Sequence, residues 1–147
     1  MSHELNNQVV GNVGLYFVCY RLSALGWNVT PTARNARGID IVIYSQDAKR
    51  CLTIQVKSLS KRTPVPLGKS LKKLFGDYFV ICRGLATDKP ECFILEPDEV
   101  KTLAHHTPPL RSVYGQSYWL QPKAYEKDEF REKWDRIGRG VSLTPRR

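Results

Sequence analysis

The 147 residues carry a formal net charge of +9 and 41% apolar side chains, which excludes a disordered polyelectrolyte and fits one domain with its own core. No apolar run approaches the roughly 20 residues that span a bilayer, and the amino terminus lacks a signal pattern, so we expect a cytoplasmic protein with no membrane partner. The four cysteines form no C-x-x-C pair, which favours core packing over zinc or disulfides. We predict a single domain over residues 1–138 and a loose basic tail over 139–147.

The first elements can be placed from apolar periodicity and turn residues. Val9 to Leu25 has apolar residues at three- and four-residue intervals and predicts a buried helix that ends at Gly26. Trp27 to Thr30 predicts a first strand. Two further strands on either side of the loop Ser45 to Arg50 predict a hairpin.

The second half of the chain alternates predicted strands and helices. Ser60 to Gly68 contains two prolines and predicts a loop, and Lys69 to Phe75 predicts a short basic helix. The remaining predictions are strands at Asp77–Cys82 and Cys92–Leu95, an edge strand at Ser117–Leu120, and helices at Pro97–His105 and Lys123–Ile137. We therefore expect an α/β fold with a mixed central sheet.

The hairpin is predicted to gather polar groups on one face. Because side chains alternate along a strand, Ile39 and Ile41 share one side and Asp40 lies on the other. Gln55 and Lys57 form the polar row of the second strand. Folding the chain about its loop puts Asp40 roughly opposite Gln55, with Lys57 as a diagonal neighbour.

These residue types suit phosphodiester chemistry. Asp40 is a hard oxygen ligand for Mg²⁺, which usually keeps several waters and takes only one or two carboxylates. Gln55 can add a carbonyl oxygen, and Lys57 can hold a phosphate or stabilise its developing charge. An electrostatic pair between Asp40 and Lys57 on an ordinary solvated hairpin is the alternative.

A helix followed by Asp40 and then Gln55-Val56-Lys57 resembles the PD-(D/E)XK nuclease superfamily over about the first sixty residues. Holliday-junction resolvases share this order, and the Gln-x-Lys variant is similar to homing endonucleases of the same fold. The resemblance implies a restriction-endonuclease-like αβββαβ core, with a mixed sheet flanked by helices. It also implies a DNA endonuclease that uses Mg²⁺ (or Mn²⁺), with Asp40 and Gln55 as metal ligands. Asp40, Gln55 and Lys57 would be catalytic, in a homodimer acting on double-stranded or branched DNA.

One residue departs from the superfamily pattern. Active relatives usually carry a glutamate in the first helix where this chain has Leu15, which cannot bind a metal. Asn12, one turn earlier, could supply an oxygen, although it could instead begin the helix. Glu4 could fold in from the amino-terminal arm. The departure favours an alternative function, a catalytically inactive nuclease-fold protein that binds DNA or serves as an assembly or specificity subunit.

Basic residues cluster on both flanks of the candidate site. The stretch from Lys57 to Leu74 contains six basic residues and no acid, and such excess charge favours binding to nucleic acid. The candidate phosphate-binding residues are Arg34, Arg37, Lys61, Arg62, Lys69, Lys72 and Lys73. A solvated basic face, or a surface for an acidic protein partner, is the alternative. His105 and His106 indicate a helix end rather than a metal site.

Overall fold

The structure is a computed structural model, which describes residues 4–33, 38–107 and 117–141. Its helices are α1 (Asn7–Ala24), α2 (Pro97–Leu103) and α3 (Pro122–Tyr125). Its strands are β1 (Asn28–Pro31), β2 (Ile41–Tyr44), β3 (Cys51–Ser58), β4 (Val65–Gly68), β5 (Tyr78–Arg83), β6 (Glu91–Leu95), β7 (His105–Thr107) and β8 (Ser117–Leu120). Single 3₁₀ turns occur at Leu71–Lys73 and Trp134–Arg136.

A mixed sheet of five strands in the order β1-β2-β3-β5-β6 forms the centre of the fold. β3 and β5 are parallel, and the other neighbours are antiparallel. A second, antiparallel sheet has the order β4-β8-β7. The predicted α/β fold, with a mixed central sheet flanked by helices, is confirmed.

Two apolar clusters cover the two faces of the central sheet. One joins α1 to the sheet through residues such as Val18, Leu22 and Ile54. The other joins the sheet to β4, β8 and α3. β5 contributes to both clusters because its side chains alternate between faces, so this strand is buried as predicted. Cys82 and Cys92 are buried in the first cluster, whereas Cys51 is exposed.

Local hydrogen bonds fix both ends of α1. The Asn6 side chain accepts from the Val9 N–H at 2.9 Å and caps the amino end. At the other end Gly26 has a φ of +91°, and the N–H groups of Gly26 and Trp27 donate to the carbonyls of Ser23 and Leu22. This pair of bonds is a Schellman motif, so the prediction that the helix ends at Gly26 is confirmed. Asn12 does not begin the helix, because α1 starts at Asn7.

The predicted loop from Ser60 to Gly68 contains strand β4. Val65 and Leu67 are buried while Pro66 and Gly68 are exposed, which is the alternation of a half-buried strand. Pro66, which has no backbone N–H, is tolerated because β4 is an edge strand and pairs with a neighbour on one side only. β8 was predicted as an edge strand, but it is central in its sheet because it pairs with both β4 and β7.

Three predicted helices are shorter than expected. The helix at residues 97–105 ends at Leu103 because Ala104 is extended and His105 already pairs in β7. The basic helix at residues 69–75 is a single 3₁₀ turn. The helix predicted at residues 123–137 ends at Tyr125, because Glu126 leaves the helical conformation with a ψ of 57°, and Glu132 with a φ of +51° breaks the segment again. Phe130, Trp134 and Ile137 are nevertheless buried, as docking on the domain requires.

The last described residues remain bonded to the domain. The Gly140 N–H donates to the Leu25 carbonyl at 3.0 Å, and its carbonyl accepts from the Gln46 N–H at 2.9 Å. The boundary after residue 138 stays a prediction, and residues 142–147 of the predicted tail lie outside the described residues. Across the described ranges, the helices are too short or too polar to cross a membrane.

Candidate functional site

A β-bulge interrupts the hairpin at Asp40. In the β2–β3 register Ile41 is the partner of Ile54, yet the N–H of Asp40 also donates to the Ile54 carbonyl at 3.0 Å. Two residues therefore face one, which is a bulge, and a bulge redirects the side chain of the extra residue. The regular alternation predicted across residues 39–43 fails at this point.

The side chain of Ile39, just before the bulge, lies on the opposite face of the sheet from that of Ile41. Ile39 Cδ1 and Thr53 Oγ1 lie 2.9 and 3.0 Å from the position that a Cβ on Gly76 would occupy. Thr53 lies on the opposite face of β3 from Ile54, which packs in the same cluster as Ile41. The prediction that Ile39 and Ile41 share one face is therefore wrong.

The Asp40 carboxylate lies against the edge of β3. Its Oδ2 accepts a hydrogen bond from the Val56 N–H at 2.7 Å, which fixes the orientation of the carboxylate. Asp40 lines a cavity of about 210 Å³ together with Gly11, Leu15, Val56 and Ser58. The carboxylate is therefore held by the backbone at a cavity between α1 and β3.

Gln55 and Lys57 line a second and larger cavity. They project from β3 on the same face into a space of about 890 Å³. The walls of this cavity also include Lys72, Lys73 and Phe75. Gln55 is only 7% exposed, and its Nε2 donates to the Lys73 carbonyl at 3.3 Å.

β3 lies between the Asp40 cavity and the Gln55–Lys57 cavity. A third cavity of about 280 Å³ adjoins both, because it shares Ser58 with the first and Lys57 with the second. The Val56 N–H that binds Asp40 belongs to the peptide immediately after Gln55. The candidate residues are thus neighbours around one end of β3. The prediction that Asp40 shares a face with Gln55 and Lys57 is wrong, because the bulge turns Asp40 toward the α1 side, where Val56 and Ser58 lie.

One buried oxygen of this site has no hydrogen-bond partner. Among the buried side-chain atoms of the described residues, Gln55 Oε1 is the one left unpaired. The oxygens of Gln55 and Asp40 are hard donors of the kind that Mg²⁺ or Mn²⁺ prefers. No group of three or more His, Cys, Asp or Glu side chains that could hold a metal occurs in the described ranges. Asp40 and Gln55 line different cavities, so an ion held at this end of β3 would take most of its ligands from water and phosphate oxygens.

The first helix comes very close to this end of β3. A Cβ at Gly14 would lie 1.9 Å from Ser58 Oγ, so only glycine allows this approach. Ser58 Oγ in turn donates to the Gly11 carbonyl at 3.4 Å. Leu15 occupies the wall of the Asp40 cavity, and Asn12 is exposed and does not line it. Glu4 is exposed ahead of the helix.

The predicted basic residues fall into separate groups. Lys61, Lys69, Lys72 and Lys73 are exposed, and within the described residues no ion pair neutralises them. Of these four, Lys72 and Lys73 line the Gln55–Lys57 cavity. Arg34 and Arg37 lie outside the described residues.

Arg62 belongs to an ion-pair network. Its side chain donates to both carboxylate oxygens of Glu126, and Arg83 donates to the same carboxylate. The hydrogen bond from Arg62, and then that from Arg83, lower the pKa of Glu126 below its usual value. The same pairing raises the pKa of Arg62. Arg62 therefore anchors the segment after β3 in addition to adding positive charge.

Sequence reasoning missed two contributors to the site. Gly38 has a φ of +79°, and a Cβ there would lie 2.4 Å from the Phe75 ring, so the turn before Asp40 packs directly on this ring. The glycine was a visible signal for a turn, but its partner was not. Ser58 was missed because nothing in its local pattern marks a contact with α1.

The mixed α/β fold can be compared with those of solved structures. Among solved structures the chain is similar to a bacterial homing endonuclease, I-Ssp6803I, with a TM-score of 0.55 and 14% identity over 90% of this chain and 93% of the other. It is also similar to Hjc, a Holliday junction resolvase from Archaeoglobus fulgidus, with a TM-score of 0.48 and 15% identity over 75% of this chain and 89% of that one. No protein-family model and no curated protein matches the chain. At 14% identity the similarity to the homing endonuclease shows the fold alone.

Proposed function

We propose that this protein is a divalent-metal-dependent DNA endonuclease of the PD-(D/E)XK type, with Asp40, Gln55 and Lys57 as its catalytic residues. The main support is the Asp40 carboxylate, which the Val56 N–H holds at 2.7 Å beside the Gln55–Lys57 segment. The carboxylate is preorganised because a backbone N–H holds it in one orientation. Its position at a bulge supports the same interpretation, since bulges commonly redirect side chains next to active sites. The nuclease-like fold supports the same assignment.

Asp40 and Gln55 would hold the metal ion, Mg²⁺ or Mn²⁺. When bound, such an ion supplies Lewis acidity toward a phosphate oxygen and lowers the pKa of a coordinated water. The unpaired Oε1 of Gln55 supports its role as a neutral ligand. With one carboxylate, the protein contributes little negative charge, so we expect metal binding to be strengthened by the phosphates of bound DNA.

Lys57 would act on the phosphate itself. Hydrolysis adds a water oxygen to phosphorus while one ester oxygen leaves, and negative charge grows on the phosphate oxygens as this happens. The ammonium of Lys57, on a strand that forms part of the central sheet, can stabilise that charge. No acid among the described residues forms an ion pair with Lys57, so its charge is available to a substrate.

The proposed substrate is double-stranded or branched DNA. Lys72 and Lys73 extend the positive surface beyond Lys57 along the wall of the same cavity. Cations without acidic partners bind phosphates with release of counterions. Cutting two strands with one site per chain favours a homodimer.

A second function also has a specific observation in its favour. Leu15 lines the Asp40 cavity where related nucleases usually carry a glutamate, and the described residues contain no three-ligand cluster. A nuclease-fold protein that binds DNA without cutting it would keep the basic cavity and tolerate both features. Its binding should fall with salt and should not require metal.

The decisive assay compares two matched acid variants. Purified wild type, Asp40→Asn and Asp88→Asn are incubated with supercoiled, linear and branched DNA in Mg²⁺ or Mn²⁺. Asp88 is an exposed acid in the β5–β6 loop, which controls for the loss of a negative charge. We expect cleavage by wild type and by Asp88→Asn, abolition by a chelator, and a fall of at least about 100-fold in Asp40→Asn.

Two other outcomes would overturn the proposal. Cleavage that survives Asp40→Asn would mean that another site or a contaminant is responsible. Salt-dependent binding without cleavage by wild type, with unchanged affinity in Asp40→Asn and in chelator, would instead establish the inactive DNA-binding protein.

A further inference from the structure

The outer face of α1 carries a row of exposed apolar side chains. Val9, Val13, Tyr16 and Tyr20 are 38%, 37%, 64% and 67% exposed, and we call these four residues the α1 stripe. The face of the helix that packs on the sheet is a different one, formed by Val10, Gly14, Val18 and Leu22. The stripe therefore contributes nothing to the core of the chain itself.

The segment of α1 that carries the stripe contains no charge, and Arg21, which follows it, is paired with Glu132. Residues 5–20 include no Asp, Glu, Lys or Arg, although the chain as a whole has a net charge of +9. A surface for nucleic acid or for an anionic membrane would carry cations beside its aromatic residues. Two copies of a chain with this net charge repel each other, and the repulsion is weakest when the contacting surfaces carry no charge. The α1 stripe is such a surface.

The spacing of the α1 stripe is symmetric along the helix. Its intervals of four, three and four residues read the same in both directions. If two copies of α1 pack antiparallel about a two-fold axis, Val9 faces Tyr20 of the partner subunit and Val13 faces Tyr16 of the partner subunit. Each aliphatic side chain then meets an aromatic one, which is the self-complementarity that an isologous contact requires. Antiparallel pairing also places opposite helix dipole ends together.

We propose that the α1 stripe is a homodimer interface in which α1 packs antiparallel against α1 of a second copy. An 18-residue helix is about 27 Å long, and one helix pair covers less than the roughly 800 Å² per partner of a standard stable interface. The dimer is therefore a reversible one whose population rises with concentration. Gly11 of α1 lines the Asp40 cavity, so the dimer holds two such cavities at a fixed separation.

The mass of the full chain in solution tests the interface. Sedimentation velocity and light scattering are run over a concentration series for wild type, Val13→Glu/Tyr16→Glu and Val13→Lys/Tyr16→Glu. We expect the wild-type mass to rise from 16.8 kDa toward twice that value. The Glu/Glu variant should stay monomeric because like charges face each other. The Lys/Glu variant should dimerise again, because each lysine faces a glutamate of the partner subunit.

Controls separate this interface from folding and from nuclease activity. Circular dichroism checks that each variant is folded, and Tyr44→Glu changes an exposed aromatic residue outside the stripe, so it should leave the dimer intact. Asp40→Asn should also dimerise, since the contact does not depend on catalysis. A wild type that stays monomeric at every concentration, or a Glu/Glu variant that still dimerises, overturns the proposal. Binding of a monomeric wild type to phospholipid vesicles would assign the stripe to a membrane surface instead.

Discussion

Gln55 carries an unfavourable buried atom at the candidate site. A buried oxygen without a hydrogen bond costs roughly 1–3 kcal/mol, and Oε1 of Gln55 is in that position. The other end of the amide is fixed by its bond to the Lys73 carbonyl at 3.3 Å, so the oxygen cannot simply exchange places with the nitrogen. Such a cost in a native fold calls for a role, and ligation of a cation supplies one.

Gln55→Glu should therefore strengthen metal binding. A carboxylate in place of the neutral amide adds the ligand charge that a divalent ion prefers, so we expect the Mg²⁺ concentration for half-maximal cleavage to fall roughly tenfold. Without metal, the new carboxylate is buried and cannot donate to the Lys73 carbonyl as the amide does, so the melting temperature should drop. Added Mg²⁺ should restore it. Thermal melts with and without the ion measure this effect independently of cleavage. A melting temperature of Gln55→Glu that does not change with Mg²⁺ would argue against ligation at this position.

At the scale of elements, the site depends on how closely α1 approaches β3. Gly14→Ala would place a methyl group 1.9 Å from Ser58 Oγ, and overpacking of this kind costs about 1–3 kcal/mol. Gly11→Ala is the matched control in the same helix, because nothing lies within 4 Å of its Cβ position. That change should stabilise the protein by up to about 1 kcal/mol through helix propensity.

Urea unfolding of the two alanine variants measures the difference. Gly14→Ala should unfold at lower urea than wild type and Gly11→Ala at equal or higher urea. Equal stability of the two variants would show that α1 does not pack on β3 as described.

Glu126 ties the segment after β3 to the end of β5, and this link depends on pH. Hydrogen bonds from Arg62 and Arg83 lower the pKa of Glu126. A carboxyl with a lowered pKa in the folded state stabilises the fold above its unfolded pKa, and this stability is lost as the pH falls through the folded value. Glu126→Gln should therefore be less stable than wild type at neutral pH, and the gap should close in acid.

Urea unfolding at a series of pH values checks this prediction. Glu129→Gln, an exposed glutamate in the same segment, is the control and should show no gap at neutral pH. A gap for Glu126→Gln that stays constant into acid would mean that packing, not charge, explains its effect.

Apolar periodicity in the sequence was sufficient to predict the long helices and strands, but it did not predict the contacts between them. The helix α1, the β2–β3 hairpin and the buried strand β5 follow from apolar spacing. The bulge at Asp40 does not, because it arises from a hydrogen bond to Ile54 that no local pattern encodes. The strand β4 was hidden by Pro66, whose tolerance depends on an edge position. The site residues could thus be selected from sequence, while their directions required tertiary structure.

At the scale of the whole molecule, three lysines line the largest of the cavities at the candidate site. Lys72 and Lys73 are exposed on its wall, beside Lys57. If this surface binds DNA, Lys72→Ala/Lys73→Ala should weaken binding and reduce the slope of log affinity against log salt by up to about two, since each phosphate contact contributes about 0.9. Fluorescence anisotropy with a labelled duplex at several salt concentrations measures this slope.

A charge-matched control removes two lysines elsewhere. Lys89 and Lys123 are exposed and do not line the cavity, so Lys89→Ala/Lys123→Ala has the same net charge as the first double variant. Its salt slope should stay near that of wild type. Equal losses in the two variants would indicate attraction by net charge alone, without a defined DNA surface.

The central claim is that Asp40 and Gln55 hold a divalent ion at the end of β3. The most direct measurement is anomalous diffraction from crystals of the full chain soaked with Mn²⁺, with Asp40→Asn crystals treated in the same way. We predict a manganese peak in contact with oxygens of both Asp40 and Gln55 in wild type, and none at that position in Asp40→Asn. Soaked wild-type crystals that show no peak beside Asp40, or a peak that persists in Asp40→Asn, would contradict the claim.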